Sequence, residues 1–195
     1  MLAFQEDFLR SAKRQFAYYK MLGEKAMAQL NEEQLFVSIN EDSNSIGMIV
    51  QHLHGNMMSR WTDFLNSDGE KEWRQRDQEF EAVINNKEAL LLLWNQGWQC
   101  LFDALESIKE ADFSRLVYNR NEGHTLVEAI NRQLSHYPYH VGQMIYIAKM
   151  ISENEWQSLS IPKNKSLDYN QKKFTNKKHK GHFTDDIDGK NIATI

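Results

Sequence analysis

Two histidines four residues apart carry the clearest chemical signal in this sequence of 195 residues. His136 and His140 lie in a segment with helical periodicity, where this spacing puts them about 40° apart on one face, one turn from each other. Two imidazoles in this arrangement can both reach one metal ion at about 2.0–2.1 Å. The pair therefore predicts a metal site, and the alternative is an isolated pair that is only solvated or part of the core.

The neighbours of this pair favour the metal site. On a helical wheel, Arg132, Gln133 and Gln143 lie within about 60° of His136, so the face is polar where a bundle core would be apolar. Pro138 lies between the two histidines and removes one helical N–H, which predicts a kink at this point. Such a kink is also compatible with a bend that has no functional role.

A third ligand must come from another helix, and an earlier helical segment offers His52 and His54. Two residues apart on a helix, they point about 200° from each other, so only one can face the pair. His52 has polar neighbours that could orient its second ring nitrogen, whereas His54 has an apolar surround typical of an ordinary amphipathic face. Helical geometry alone leaves both residues open as the third ligand.

Four long helices must position these histidines. The sequence has only two prolines and nine glycines, and apolar residues recur every three or four positions in four segments. These segments cover about residues 3–30, 45–65, 87–108 and 126–151. Each apolar stripe must be covered by another helix, which predicts an all-α fold, a four-helix bundle with long connections.

Local signals refine this bundle. Short polar side chains in EDSNS predict an N-terminal cap for the second helix, and Thr125 with Glu128 predicts a capping box for the fourth. Trp73 and Phe80 are expected to pin the long polar connection between the second and third helices to the body. The stretch FSRLVYNR could form a short hairpin arm.

Charge and periodicity divide the chain near residue 170. Of 23 basic and 27 acidic residues, the last 25 positions hold six and three, which leaves 17 basic and 24 acidic residues before them. An acidic body disfavours a nucleic-acid partner. The sequence thus predicts a helical domain over residues 1–170 and a polar, disordered tail over 171–195.

The cellular context follows from what the sequence lacks. No window approaches about 18 consecutive apolar residues, so no membrane association is expected. The start MLAFQEDFLR has acidic residues where a signal peptide needs basic ones, so secretion is not expected. The single cysteine, Cys100, suits a reducing cytoplasm, and we expect it to be a buried apolar residue rather than a nucleophile.

Three longer strings, NSIGMIVQHLHGNMMSRWTDFL, DGEKEWRQRD and EAINRQLSHYPYHVGQM, resemble a branch of small proteins in the DinB/YfiT-like superfamily of bacterial metal-binding proteins. The resemblance covers about residues 1–170. In that branch an HL dipeptide marks the first ligand, which matches His52 and Leu53. The resemblance therefore implies His52, His136 and His140 as a three-histidine site, with His54 at a position that makes no metal demand.

The resemblance also implies an up-down-down-up bundle, a homodimer and a divalent ion such as zinc or nickel. Some relatives transfer a low-molecular-weight thiol such as bacillithiol to an electrophile, and others have no known activity. We therefore expect a metal-dependent thiol transferase or hydrolase that acts on small electrophiles. The alternatives are a non-catalytic metal-binding or stress-response protein and an interaction module without metal.

No catalytic base is identified, because no Glu or Asp clearly shares the face of the ligands. Helical wheels indicate Asn56 and Gln143 as polar neighbours of the histidines. The substrate stays open at this point.

Overall fold

Four long helices dominate the computed structural model, which describes residues 3–152 and 155–186. They are α1 (Ala3–Met27), α2 (Ile46–Trp61), α3 (Lys87–Ser107) and α4 (Leu126–Ile151). The most extensive contacts join α2 to α3 and α1 to α4, and α2 also meets α4. The predicted all-α fold is confirmed. No described helix combines the length and apolar composition that crossing a bilayer requires.

Aromatic side chains from all four helices form the centre of the core. Phe16 of α1, Trp98 of α3 and Tyr137 of α4 are fully buried, and the Tyr137 ring lies 5.8 Å from each of the other two ring centroids. Trp61 of α2 donates its indole N–H to the Tyr137 hydroxyl at 2.9 Å. Because Tyr137 follows His136 directly, this core contact fixes the rotation of α4 at the histidine pair.

The predicted helix starts are confirmed by their caps. Ser45 accepts a hydrogen bond from the N–H of Met48 at 3.2 Å, and Thr125 and Glu128 form the reciprocal capping box. The first two helices end earlier than predicted, at Met27 and Trp61. At the end of α2 the reason is a backbone turn, since the chain becomes extended at residue 62 and Asp63 has φ 47°.

The predicted hairpin is also present. Strands β1 (Leu116–Asn119) and β2 (Glu122–Thr125) pair antiparallel, with the end of β1 opposite the start of β2. The turn residues Arg120 and Asn121 have φ of 54° and 63°, as a type I′ turn requires. The Asp68 carboxylate accepts their two backbone N–H groups at 2.8 and 2.9 Å, which ties the hairpin to the connection between α2 and α3.

That connection, residues 62–86, lies against α2 and carries the 3-10 turn Arg76–Phe80. The Gln51 amide of α2 donates to the carbonyl oxygens of Glu79 and Glu81 at 3.1 and 2.8 Å. Phe80 is half-buried, as expected of an anchor, whereas Trp73 is 57% exposed and anchors little. The connection therefore forms a wall beside α2.

The structure differs from the expectation at the C-terminal end. Helix α5 (Ser166–Phe174) crosses the predicted boundary at 170, and a 3-10 turn follows at Phe183–Asp186. Arg14 of α1 pairs with Asp185, so part of the segment expected to be disordered contacts α1. Periodicity could not reveal a contact made by so few residues. The rest of the predicted tail, residues 187–195, lies outside the described residues.

Two helical glycines give a matched test of this packing. A Cβ at Gly142 of α4 would meet nothing within 4 Å, so Gly142→Ala should raise the free energy of unfolding by about 0.5–1 kcal/mol. A Cβ at Gly97 of α3 would lie 3.1 Å from the Cα of His54, so Gly97→Ala should give no gain and lower stability. Urea unfolding measures both, and an equal gain at Gly97 would contradict the close contact of α2 with α3.

Candidate metal centre

Three histidine rings meet where α2 passes α4. The Nε2 atom of His136 lies 3.4 Å from Nε2 of His52 and 3.1 Å from Nε2 of His140. One ligand atom from each residue lies within 4.8 Å of the other two. Three imidazole nitrogens around one point form a donor set that could bind a divalent metal ion.

Each ring is held through its other nitrogen by a side-chain oxygen. Each Nδ1–H donates to one side-chain oxygen: His52 to Glu79 at 2.9 Å, His136 to Gln133 at 3.2 Å and His140 to Gln143 at 2.8 Å. Because a carboxylate or amide oxygen only accepts, the proton lies on Nδ1 and the Nε2 lone pair is free to coordinate. Such oxygen partners of ligand histidines fix the tautomer and the ring orientation.

The partner of His52 belongs to a buried ion pair. Arg74 donates from Nε and Nη2 to the two carboxylate oxygens of Glu79 at 2.8 and 3.0 Å. The side chains of Arg74 and Glu79 are 3% and 9% exposed. Burial alone would raise the pKa of Glu79, but the hydrogen bonds from His52 and Arg74 outweigh it and hold that pKa below its ordinary value. Glu79 is therefore an anion that strengthens His52 as a donor.

The other two histidines stay neutral at physiological pH. Burial, together with the adjacent His140 and His52 rings, lowers the pKa of His136 to about 3. Burial and the His52 ring lower the pKa of His140 to about 4. A metal ion would not have to displace a proton from either ring near neutral pH.

Gly55 makes room for the Glu79 carboxylate. A Cβ at this position of α2 would overlap the carboxylate and lie 2.7 Å from its Cδ atom. The absence of a side chain at Gly55, one turn after His52, lets the connection approach the helix backbone. A glycine inside a predicted helix can mark a close approach of another segment, so Gly55 was a sequence signal for this contact.

His52, His136 and His140 line a cavity of about 600 Å³. Its walls come from α2, α4, the 62–86 connection and the hairpin turn, and the Phe80 ring stacks on His52 at 4.9 Å between centroids. A cavity of this size accepts a small organic molecule. The three histidines are therefore accessible to a small molecule that enters this cavity.

His54 lies apart from this cluster. It lines a different cavity of about 870 Å³ next to α3, together with Cys100. The structure thus brings His52, and not His54, to the pair on α4. Burial raises the pKa of the Cys100 thiol, so this cysteine is not an activated nucleophile.

The polar neighbours agree in part with those expected. Gln143 holds His140 as described, and Gln133 from the predicted polar face holds His136. Asn56 lines the cavity, but its side-chain oxygen accepts the Tyr137 hydroxyl at 3.1 Å rather than a histidine. Pro138 lies inside α4, which continues through it from residue 126 to 151.

Comparison with known proteins places the chain in a family. Residues 3–165 match DUF1572, a family described as proteins of unknown function, and this range includes every residue of the histidine cluster and of its oxygen partners. Among curated proteins and among solved structures there is no match. Since the match covers all four long helices, the chain belongs to the DUF1572 family.

Proposed function

We propose that this protein is a divalent-metal-dependent enzyme of DinB/YfiT-like type, with His52, His136 and His140 as the metal ligands. The observation that carries the proposal is the convergence of three Nε2 atoms on a solvent-open cavity. Every Nδ1 is already held by an oxygen acceptor, so the rings are oriented before any ion arrives. Imidazole donors suit zinc and nickel, the two metals that we propose.

The donor set supports catalysis over a purely structural ion. Structural zinc sites are closed by four protein ligands, whereas catalytic sites use three and leave a position open. Here three histidines converge, and no Asp, Glu or Cys of the described residues joins their cluster. The alternative, a non-catalytic metal-binding or stress-response protein, has no need of a cavity at the ligand atoms.

We propose that the reaction is attack of a small thiol, or of water, on a small electrophile. A bound ion would lower the pKa of a thiol or water at the open position and so supply a nucleophile at neutral pH. The chain orients the three rings through Glu79, Gln133 and Gln143. Among the described residues that line the cavity, none is acidic, so the proton released from the nucleophile passes to solvent.

In the thiol reaction, the S–H proton leaves and sulfur forms a bond to the electrophilic carbon. A halide departs from that carbon, or an epoxide ring opens and its oxygen takes a proton from solvent. The homodimer, the cytoplasmic location and the absence of a nucleic-acid partner stay predictions.

Metal content tests the ligand assignment. Protein purified without chelator should hold about one divalent ion per chain by elemental analysis. His52→Ala, His136→Ala and His140→Ala should each abolish retention, because two remaining imidazoles bind an ion weakly. His54→Ala is the matched control on the same helix and should retain the ion. Equal losses in His52→Ala and His54→Ala would contradict the assignment.

The Glu79 contact makes a separate prediction about affinity. Glu79→Gln keeps the shape of the side chain but removes the negative charge next to His52, and should weaken metal binding about 10- to 100-fold. Competition with a chromophoric chelator measures the affinity. Gly55→Ala should weaken binding similarly, since its Cβ displaces the carboxylate. Glu70→Gln is the control, because Glu70 pairs with Arg74 but does not touch His52. Unchanged affinity in both Glu79→Gln and Gly55→Ala would show that this contact does not support the metal.

A reaction panel tests the chemistry. Metal-loaded protein should accelerate attack of glutathione, cysteine or bacillithiol on haloalkyl and epoxide compounds, and His136→Ala should not. Product formation by chromatography, with the uncatalysed rate subtracted, is the measurement. If no thiol reacts faster with the metal-loaded protein than with His136→Ala, the transferase proposal fails. The same electrophiles are then assayed without thiol. Formation of the hydrolysis product supports a hydrolase, and its absence supports a binding protein.

A further inference from the structure

Five arginines surround the histidine cluster. Arg60 of α2, Arg74 and Arg76 of the connection, Arg120 of the hairpin turn and Arg132 of α4 all line the 600 Å³ cavity. They come from four separate parts of the chain, so no local run of basic residues accounts for their meeting. The protein as a whole has a net charge of −4, which makes this concentration of positive charge a specific feature.

Within the described part of the chain, two of the five arginines form ion pairs with acidic side chains. Arg74 pairs with Glu79 and Glu70, and Arg120 pairs with Glu70 at 3.1 Å. Within residues 3–152 and 155–186, no ion pair joins any of the other three to an acidic side chain; these are Arg60, Arg76 and Arg132. Three of the five guanidinium groups around this cavity thus have no ion-pair partner among the described residues.

Of these three arginines, Arg60 lowers the stability of the folded protein most. Its Nε is buried and has no hydrogen-bond partner in the described part of the chain. Burial and the nearby Arg132 lower the pKa of Arg60, so the folded protein disfavours this charge. An unpaired charge in such a place lowers stability unless a ligand completes it.

We propose that these arginines bind the phosphate group of a small organic phosphate monoester, which is the substrate of the metal centre. The inference rests on the proposed function and adds the substrate class to it. A phosphate monoester is a dianion with three terminal oxygens, and each guanidinium can donate two parallel N–H groups to it. One carboxylate has two oxygens and one charge, which leaves part of this arginine cluster unpaired.

The cavity also has room and suitable walls for the organic part of the molecule. The Phe80 ring stacks on His52 and also contacts Arg76, whose guanidinium carbon is 5.5 Å from the ring centroid. Tyr139, which is 62% exposed, forms another wall next to His140. The aromatic rings beside the histidines would hold the organic part of the molecule while the arginines hold its phosphate group.

Calorimetric titration at low salt and pH 7.5 tests the proposal with phenyl phosphate and benzoate as probes. The full chain as purified should bind about one phenyl phosphate, and benzoate at least about tenfold more weakly. Arg60→Gln/Arg132→Gln should lose about tenfold or more in affinity for phenyl phosphate. Arg10→Gln/Lys149→Gln removes the same charge from exposed positions outside the cavity and should bind as the natural sequence does.

The His136→Ala variant separates this inference from the metal proposal, because it should lose the ion but keep arginine-dependent binding of phenyl phosphate. Circular dichroism of each variant verifies the fold. Equal binding of phenyl phosphate and benzoate overturns the proposal, as does unchanged binding in Arg60→Gln/Arg132→Gln or loss of all binding in His136→Ala. If the protein of natural sequence retains no metal but binds phenyl phosphate through these arginines, the metal-dependent function is wrong and the phosphate site stands.

Discussion

The site depends on the buried ion pair between Arg74 and Glu79. Burying two charges costs more than their attraction returns unless the remaining lone pairs and N–H groups are satisfied. Here Oε1 of Glu79 accepts from Arg74, and Oε2 accepts from both Arg74 and His52. The position of the connection, the orientation of a ligand ring and the charge behind it are thus set by one group of contacts. A change in any of the three side chains alters all of these properties.

Two further residues of α2, Gln51 and Gly55, explain why a long polar connection can serve as a cavity wall. Loops with few apolar residues usually stay at the surface, since their backbone groups need water or a partner. Gln51 supplies partners by binding two carbonyl oxygens and accepting the N–H of Ile84 at 2.8 Å. Gly55 supplies the space. Helix α2 therefore carries one residue on each side of His52 that lets the connection pack closely against the helix.

Local patterns predicted the elements well and the site in part. The spacing of His136 and His140, the capping box and the hairpin all follow from interactions within a few residues, which a sequence displays directly. Choosing His52 over His54 needed the resemblance to a family, because a helical wheel does not say which face meets α4. Glu79, Arg74 and the arginine cluster were missed, since contacts between a loop and a distant helix leave no periodic trace. The turn near Asp185 was missed for the same reason.

The distance along the chain between the three histidines has a consequence for biosynthesis. His52 and His136 touch across 84 positions of sequence, and α4, which carries two of the three rings, is the last long helix. During translation the first half of the chain emerges with His52 but without His136 and His140, and the pairing of α1 with α4 cannot yet form. An ion held by all three histidines, as we propose, would therefore bind only after α4, the last long helix, has been made.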